Sequence, residues 1–256
     1  MFFLYTSTTN IPSMTSKFIF IFSFFSFYIV AQKIVTNQNL YWMRYYNQLE
    51  INEKFMWHNE MEIRRFFEGN VKHHFIAHTR MHYKTGQNTD VALGITYSRQ
   101  SPQDPISTSN LIVPEFRGVQ EFNYVIFISN RFTFQQRLRI EQRFIRNNNG
   151  IELLDGYGFN FRFRFRLQAN YRISNEEAIN RTTLKISNEI MVNAGKNIIY
   201  NQFDQNRIYI GIERDFSKSI SFELGYINWY QQTVSGNHFF NRDIIRLTLY
   251  HRLKLK

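Results

Sequence analysis

The chain has 256 residues, of which 43% are hydrophobic and 18% aromatic, and this composition excludes a disordered chain. It contains no cysteine, which excludes a disulfide scaffold, a thiol nucleophile and a thiolate metal site. Its 31 basic and 20 acidic residues give a formal net charge of +11, and its mean hydropathy of -0.39 excludes a bundle of membrane-spanning helices.

The first predicted element is an apolar segment near the N-terminus. Residues 18–30 form an apolar run that only two serines interrupt, with Lys17 before it and Ala31 after it. This run is short for a membrane span, and a basic flank with a small residue at the far end is typical of a secretory signal peptide. We therefore predict a signal peptide over residues 1–31, with Met14 as an alternative start, and a single domain over residues 32–256.

The strongest periodicity lies in the middle of the chain. In residues 159–171 the odd positions carry Phe, Leu, Ala or Tyr, and the even positions carry Arg, Asn or Gln. Residues 132–144 alternate in the same way, with two glutamines on the apolar side. A period of two places the two sets on opposite faces of a β-strand, whereas a helix with its period of 3.6 would scatter them.

Weaker alternation recurs along the rest of the chain and predicts further strands. The other candidates are residues 40–49, 55–64, 75–84, 91–98, 115–124, 182–192, 207–213, 220–226 and 245–250. Short turn sequences such as Asn149-Gly150 separate them, and the longest polar loop begins at Ser101. These patterns predict an all-β fold, an antiparallel up-and-down β-barrel of about 10–12 strands. Because outer-membrane barrels favour an even count, we expect ten or twelve.

Alternation alone does not tell which face is inside. The apolar face is rich in large aromatic residues and the strands reach about 10 residues, the length that crosses a bilayer at a tilt. We therefore predict that this face meets lipid in the cell outer membrane of a Gram-negative bacterium. The alternative is a soluble secreted β-protein that buries the same face. Near strand ends, six residues predict an aromatic girdle: Trp42, Tyr45, Tyr46, Trp57, Trp229 and Tyr230.

The polar face carries many arginines and glutamates, which a barrel would turn into its lumen. Arginines on neighbouring strands repel one another unless carboxylates face them, so we predict a salt-bridged lumen and, second, an anion-binding constriction. The predicted lumen network consists of Arg137, Arg139, Glu141, Arg143, Arg162, Arg164, Arg166, Glu189, Glu213 and Glu223. Glu60 and Glu62 have the same face parity.

Three stretches carry a family resemblance: the alternating Phe-Arg run 161–166, residues 137–144, and residues 201–209, where Asn-Arg-Ile-Tyr precedes Gly211. Through them the chain resembles the domain of unknown function 2490 family, common in Bacteroidetes-type bacteria. The resemblance extends from about Asn39 to the C-terminus. It implies an exported barrel of the outer-membrane type and implies no activity.

Catalytic chemistry has weak support in the sequence. His74, His78 and His82 share one strand face, so a lipid-modifying enzyme would use His78 or His82 with a hydroxyl from a neighbouring strand. No Gly-x-Ser-x-Gly motif is present. A structural or transport-like barrel is the preferred hypothesis, without cofactor, metal or nucleic acid. Its expected partners are membrane lipid, lipopolysaccharide and the barrel assembly machinery.

Overall fold

The computed structural model describes residues 33–174 and 180–255, and the predicted signal peptide lies outside them. Within these residues the chain forms eleven strands and one short 3-10 turn at Glu68–Asn70. The strands are β1 (Ile34–Glu50), β2 (Phe55–Phe66), β3 (Lys72–Lys84), β4 (Thr89–Gln100), β5 (Val113–Phe127), β6 (Phe132–Asn148), β7 (Leu153–Arg172), β8 (Thr182–Ala194), β9 (Phe203–Asp215), β10 (Ile220–Gln232) and β11 (His238–Lys254). In this part of the chain no helix is long and apolar enough to cross a membrane.

The strands form one closed barrel in which each pairs antiparallel with its sequence neighbours. The barrel closes between β1 and β11, which pair in parallel from Ile34 opposite His238 to Glu50 opposite Lys254. With an odd number of strands in an up-and-down order, the first and last strands run in the same direction, so their pairing has to be parallel. The predicted up-and-down barrel of ten to twelve strands is confirmed, and the preference for an even count is wrong.

The two longest neighbouring strands, β6 and β7, are joined by a tight turn at the predicted Asn-Gly sequence. Asn149 Oδ1 accepts hydrogen bonds from the backbone N–H groups of Ile151 and Glu152 at 3.0 and 2.8 Å. Gly150 adopts φ 88°, a conformation that side chains disfavour. The side chain of Asn149 thus supports the turn in addition to the backbone hydrogen bond from Asn149 N–H to Glu152 O at 3.2 Å, as asparagine commonly does.

Strand parity separates an apolar outer face from a polar interior on every strand. Each of the eleven strands exposes large apolar side chains on the outside: Met43, Met61, Met81, Ile95, Phe122, Leu138, Phe163, Ile190, Ile210, Leu224 and Leu247 are examples, in strand order. The intervening residues point inward, and most of the buried charged residues are among them. The interior of this protein is therefore more polar than its exterior, the reverse of a soluble β-protein.

The predicted aromatic girdle is wrong for three of its six members. Trp42 and Trp229 are buried, and their rings meet edge to face inside the barrel at 5.8 Å. Tyr46 also lines the interior. Tyr45 and Trp57 do point outward. The reason is parity: Trp42 alternates in phase with the inward Arg44, and nearness to a strand end does not change the face.

Two glycines make room for one inward-facing tyrosine. Gly211 on β9 lies opposite Gly225 on β10, and the ring of Tyr209 covers both. A Cβ atom on Gly211 would lie 1.9 Å from the Tyr209 hydroxyl oxygen, and one on Gly225 would lie 2.2 Å from the ring. This close packing gives the Asn-Arg-Ile-Tyr and Gly211 sequence a physical role inside the barrel.

Candidate functional site

The barrel interior contains a cavity of about 470 Å³ whose walls are mainly charged and amide side chains. Nine of the ten residues of the predicted lumen network line it. The tenth, Glu141, lies behind the lining and is fully buried. The structure therefore brings all ten to the inside of the barrel.

Glu141 is the carboxylate that holds the Arg-rich strand β7. It lies opposite Arg162 in the β6–β7 register, and Arg162 donates to its Oε2 through Nε at 2.8 Å and Nη2 at 2.5 Å. Arg164 Nη1 donates to the other oxygen at 2.7 Å. Both oxygens of this buried carboxylate thus accept charge-assisted hydrogen bonds, the stronger class in proteins.

Glu189 connects strands that are not neighbours. Arg164 donates to it through Nε at 3.1 Å and Nη2 at 3.0 Å, and Arg137 on β6 reaches it at 2.5 Å past the intervening strand β7. Lys185 similarly extends from β8 to Glu223 on β10 at 2.8 Å. The Arg137–Glu189 and Lys185–Glu223 contacts cross the curved inner wall and join strands that share no backbone hydrogen bonds.

The remaining predicted residues are paired as well, with one exception. Arg143 donates to Glu115 at 2.5 Å, Arg139 to Glu121 at 2.6 Å and Arg252 to Glu213 at 2.6 Å. The sequence reasoning did not single out Glu115 and Glu121. Their odd positions on the predicted strand 115–124 were the signal that would have found them.

Arg166 is the exception. It lies opposite Glu189 in the β7–β8 register, but Glu189 is occupied by Arg164 and Arg137. Among the described residues, no carboxylate lies within ion-pairing distance of Arg166, and its Nε is buried without an acceptor. Its guanidinium lines the cavity.

The sequence did not predict a second group of inward-facing residues, the Trp–Arg cluster, in which arginines stack on tryptophans. It consists of Trp42, Trp229, Arg64, Arg207 and Arg242. The guanidinium carbons of the three arginines lie 6.0, 4.7 and 4.4 Å from the Trp229 ring centroid, in that order. Arg64 also stacks over Trp42 at 3.9 Å. Cation–π contact at these distances is favourable and stronger where water is excluded.

Carboxylates are scarce in the Trp–Arg cluster. Arg64 is paired with Glu62, with Nε to Oε2 at 2.8 Å. Arg242 is fully buried and, among the residues that the structure describes, donates only to glutamine oxygens, including Gln103 Oε1 at 2.8 Å. Gln103 belongs to the loop between β4 and β5, and its backbone oxygen accepts from Gln38 Nε2 at 2.8 Å. The loop is thereby fixed against the interior of the barrel.

The three histidines of the enzyme hypothesis, His74, His78 and His82, line the interior of the barrel. His78 Nδ1 lies 2.6 Å from the hydroxyl of Thr96 on the neighbouring strand, which is the hydroxyl–imidazole pair that the enzyme hypothesis required. Thr96 is only 2% exposed, so a lipid at the outer face has no contact with it. His82 pairs instead with Asp90 at 2.7 Å.

Glu60, Glu62 and His78 bring their ligand atoms within 4.8 Å of one another. This spacing would suit a metal ion, but the carboxylates already serve arginines. Glu60 accepts from Arg44 at 3.3 Å and Arg80 at 3.2 Å, and Glu62 pairs with Arg64. Three guanidinium groups around two carboxylates disfavour a further cation, so the geometry supports ion pairing here.

The sequence from residue 39 to residue 240 matches a family model described as a protein of unknown function, DUF2490. The chain belongs to the DUF2490 family. The family resemblance inferred from the Arg-rich and Asn-Arg-Ile-Tyr segments is thereby confirmed. A search of curated proteins finds no match to the sequence.

Three solved structures resemble this DUF2490 protein in shape. The NanC porin is 11% identical, with a TM-score of 0.47, and the alignment covers 82% of this chain and 91% of that one. OmpT, an outer membrane protein of Vibrio cholerae, is 11% identical with a TM-score of 0.35, covering 72% and 57%. The siderophore receptor PirA from Pseudomonas aeruginosa is 8% identical with a TM-score of 0.27, covering 72% and 34%. Because these TM-scores are below 0.5, we draw nothing about function from these proteins.

Proposed function

We propose that this DUF2490 protein is an outer-membrane β-barrel with its apolar face in lipid and its lumen closed by ion pairs. The observation that carries the proposal is the outer surface, where every strand exposes large apolar side chains such as Leu93, Ile95 and Leu224. Soluble monomers rarely expose contiguous apolar patches above about 600 Å². An apolar band on all eleven strands is favourable only against hydrocarbon or another apolar surface.

The interior supports a closed lumen. Barrels of about 8 strands are filled by side chains and those of about 16 leave an aqueous channel, so eleven strands lie between these cases. Here arginine and tryptophan side chains occupy the space, and ion pairs such as Arg137 with Glu189 cross strand boundaries. The β4–β5 loop adds Gln103 at one end of the interior. We therefore infer that the barrel has a structural or gated transport-like role rather than that of a permanently open pore.

The apolar outer surface and the predicted signal peptide both support a location in the cell outer membrane. A bacterial outer membrane is spanned by closed barrels, in which every backbone hydrogen bond is internal. The expected partners are membrane lipid, lipopolysaccharide and the barrel assembly machinery. The enzyme alternative has less support, because the His78–Thr96 pair is buried inside the barrel.

The test is reconstitution of the purified mature chain with phospholipid vesicles. We expect the protein to float with the vesicles in a density gradient and to resist extraction by alkaline carbonate. In planar bilayers the inserted protein should show negligible steady conductance. Recovery in the aqueous fraction would contradict the membrane location, and large stable conductance steps would contradict the closed lumen.

A further inference from the structure

The Trp–Arg cluster is rich in hydrogen-bond donors and poor in acceptors. Among the described residues, only one of its three guanidinium groups is paired with a carboxylate, that of Arg64 with Glu62. Within the described residues, the only side-chain hydrogen bond of Arg207 is from Nε to Gln205 Oε1 at 3.0 Å, which leaves its two terminal nitrogens without a protein acceptor. The indole N–H groups of Trp42 and Trp229 are buried and likewise have no acceptor in the part of the chain that the structure describes.

The positive charges of the Trp–Arg cluster are not balanced by nearby negative charges. Like charges repel strongly where water is scarce, and buried arginines normally have carboxylate partners. Stacking on the indole rings offsets part of the cost for Arg64, Arg207 and Arg242, but it supplies no negative charge. Arg64, Arg207, Trp42 and Trp229 all line the cavity, so the unsatisfied donors of Arg207 face open space.

We propose that the Trp–Arg cluster is a binding site for an oxyanion, a carboxylate or phosphate group carried by a small molecule. A guanidinium group matches the two oxygens of such a group bidentately, which a spherical halide does not allow. The terminal nitrogens of Arg207 are the primary donors, Arg64 is the second cation, and Arg242 adds charge from behind. A cavity of about 470 Å³ is within the size range of small-molecule sites.

An oxyanion site assigns a class of ligand to the lumen. This inference rests on the proposed function only in treating the cavity as the interior of the barrel. Binding is measured on detergent-purified protein and does not require a bilayer. Failure to bind an oxyanion would thus remove this inference and leave vesicle flotation unaffected. Failure to float would remove the membrane location and leave the binding result standing.

The tryptophans provide the readout. The chain has three, Trp42, Trp57 and Trp229, and Trp57 is on the outer face, half-exposed. In a Trp57→Phe background, emission therefore reports on the cluster alone. Titration with inorganic phosphate and, separately, with acetate is expected to change this emission saturably in at least one case, while chloride at equal ionic strength does not. The two titrations distinguish a phosphate preference from a carboxylate preference.

The decisive variant is Arg207→Gln in the same background. We expect the apparent affinity to fall by about tenfold or more, because charge-assisted bonds are lost. Folding should be retained, since the change removes a charge inside the barrel that has no carboxylate within ion-pairing distance among the described residues. Arg146→Gln is the matched control: it also removes one positive charge, but from an exposed pair with Asp155 at 3.1 Å. Its affinity should match the background within about twofold.

An emission change that is absent, or identical in chloride, would overturn the proposal. So would an Arg207→Gln protein that binds as tightly as the background. If Arg207→Gln does not fold, Arg207→Lys decides the point. Lysine keeps the charge but loses the bidentate geometry, so weaker binding supports the site and unchanged affinity contradicts it.

Discussion

Glu141 and Gly211 illustrate two kinds of residue on which the interior depends. Glu141 is completely buried and accepts hydrogen bonds from Arg162 and Arg164. Gly211 has no side chain, and the space this leaves is filled by the ring of Tyr209. The first residue matters for its charge and the second for its lack of volume, so conservative substitutions at both should be costly.

We expect Glu141→Gln to destabilise the protein by about 3–5 kcal/mol, because two buried guanidinium groups lose their shared carboxylate. Urea unfolding in detergent or lipid measures the change. Glu53→Gln, at an exposed turn position, is the control and should stay within about 0.5 kcal/mol of the unmodified protein. A wide, watery lumen would reduce the cost of Glu141→Gln to about 1 kcal/mol or less, which would contradict the closed network.

We expect Gly211→Ala to cost about 1–3 kcal/mol, since the added Cβ forces Tyr209 from its position. Gly158→Ala on β7 is the matched control, because the nearest atoms to its Cβ position lie at 3.6 and 3.8 Å, ordinary contact distances. Equal unfolding midpoints for the two variants would show that Tyr209 does not pack over Gly211.

For single residues, the sequence predicts which face of a strand a side chain occupies better than it predicts the residue with which that side chain forms an ion pair. Parity alone places Arg162, Arg164 and Glu141 on one face, and the structure puts them together. Parity does not tell that Glu189 pairs with Arg164 and Arg137, so that Arg166 has no carboxylate partner among the described residues. The choice depends on side-chain directions across three strands. The Trp–Arg cluster was missed for a similar reason: its five members come from five strands far apart in the sequence.

Among the elements, the strand closure between β1 and β11 is the least local feature of the fold. All eleven predicted segments became strands, but most are longer in the structure than their alternating cores. β7, for example, begins at Leu153, where the sequence does not alternate, because β6 continues far enough to pair with it. The sequence could not reveal the parallel closure, since it joins segments about 200 residues apart.

Cysteine pairs test the parallel register directly, because the chain has no cysteine of its own. Met43 lies opposite Leu247, and both point outward. We expect Met43→Cys with Leu247→Cys to form a disulfide on mild oxidation. Met43→Cys with Ile245→Cys should not, because a shift of two residues along the strand separates the Cα atoms by about 8 Å. Cross-linking of the shifted pair in preference to the first would contradict the register.

At the scale of the whole molecule, charged side chains lie inside the barrel and apolar side chains lie outside, the reverse of a soluble protein. Much of the positive charge of this basic chain is enclosed by the barrel, as Arg139, Arg164 and Arg242 show. The outer face presents residues such as Phe163 and Leu224. Composition predicted neither arrangement, and the choice between lipid and a soluble core came from strand length and the size of the apolar residues.

A charge on the outer face should therefore be costly in lipid. We expect Phe163→Arg to reduce the free energy of unfolding in lipid by about 2–4 kcal/mol, as a charge near the bilayer midplane does. Ile151→Arg is the control, because Ile151 is 84% exposed in the turn between β6 and β7. Its effect should remain within about 0.5 kcal/mol. A similar small effect for Phe163→Arg would contradict the lipid contact.

The central claim, an apolar face in lipid around a charged interior, is tested most directly by two adjacent residues of β8. Ile186 is on the outer face and Ser187 lines the cavity. A fluorescent label on Ile186→Cys or on Ser187→Cys, in vesicles whose acyl chains carry a quencher, reports which residue meets lipid. We expect strong quenching at position 186 and little at position 187. Quenching at 187 but not at 186, or at neither, would contradict the account.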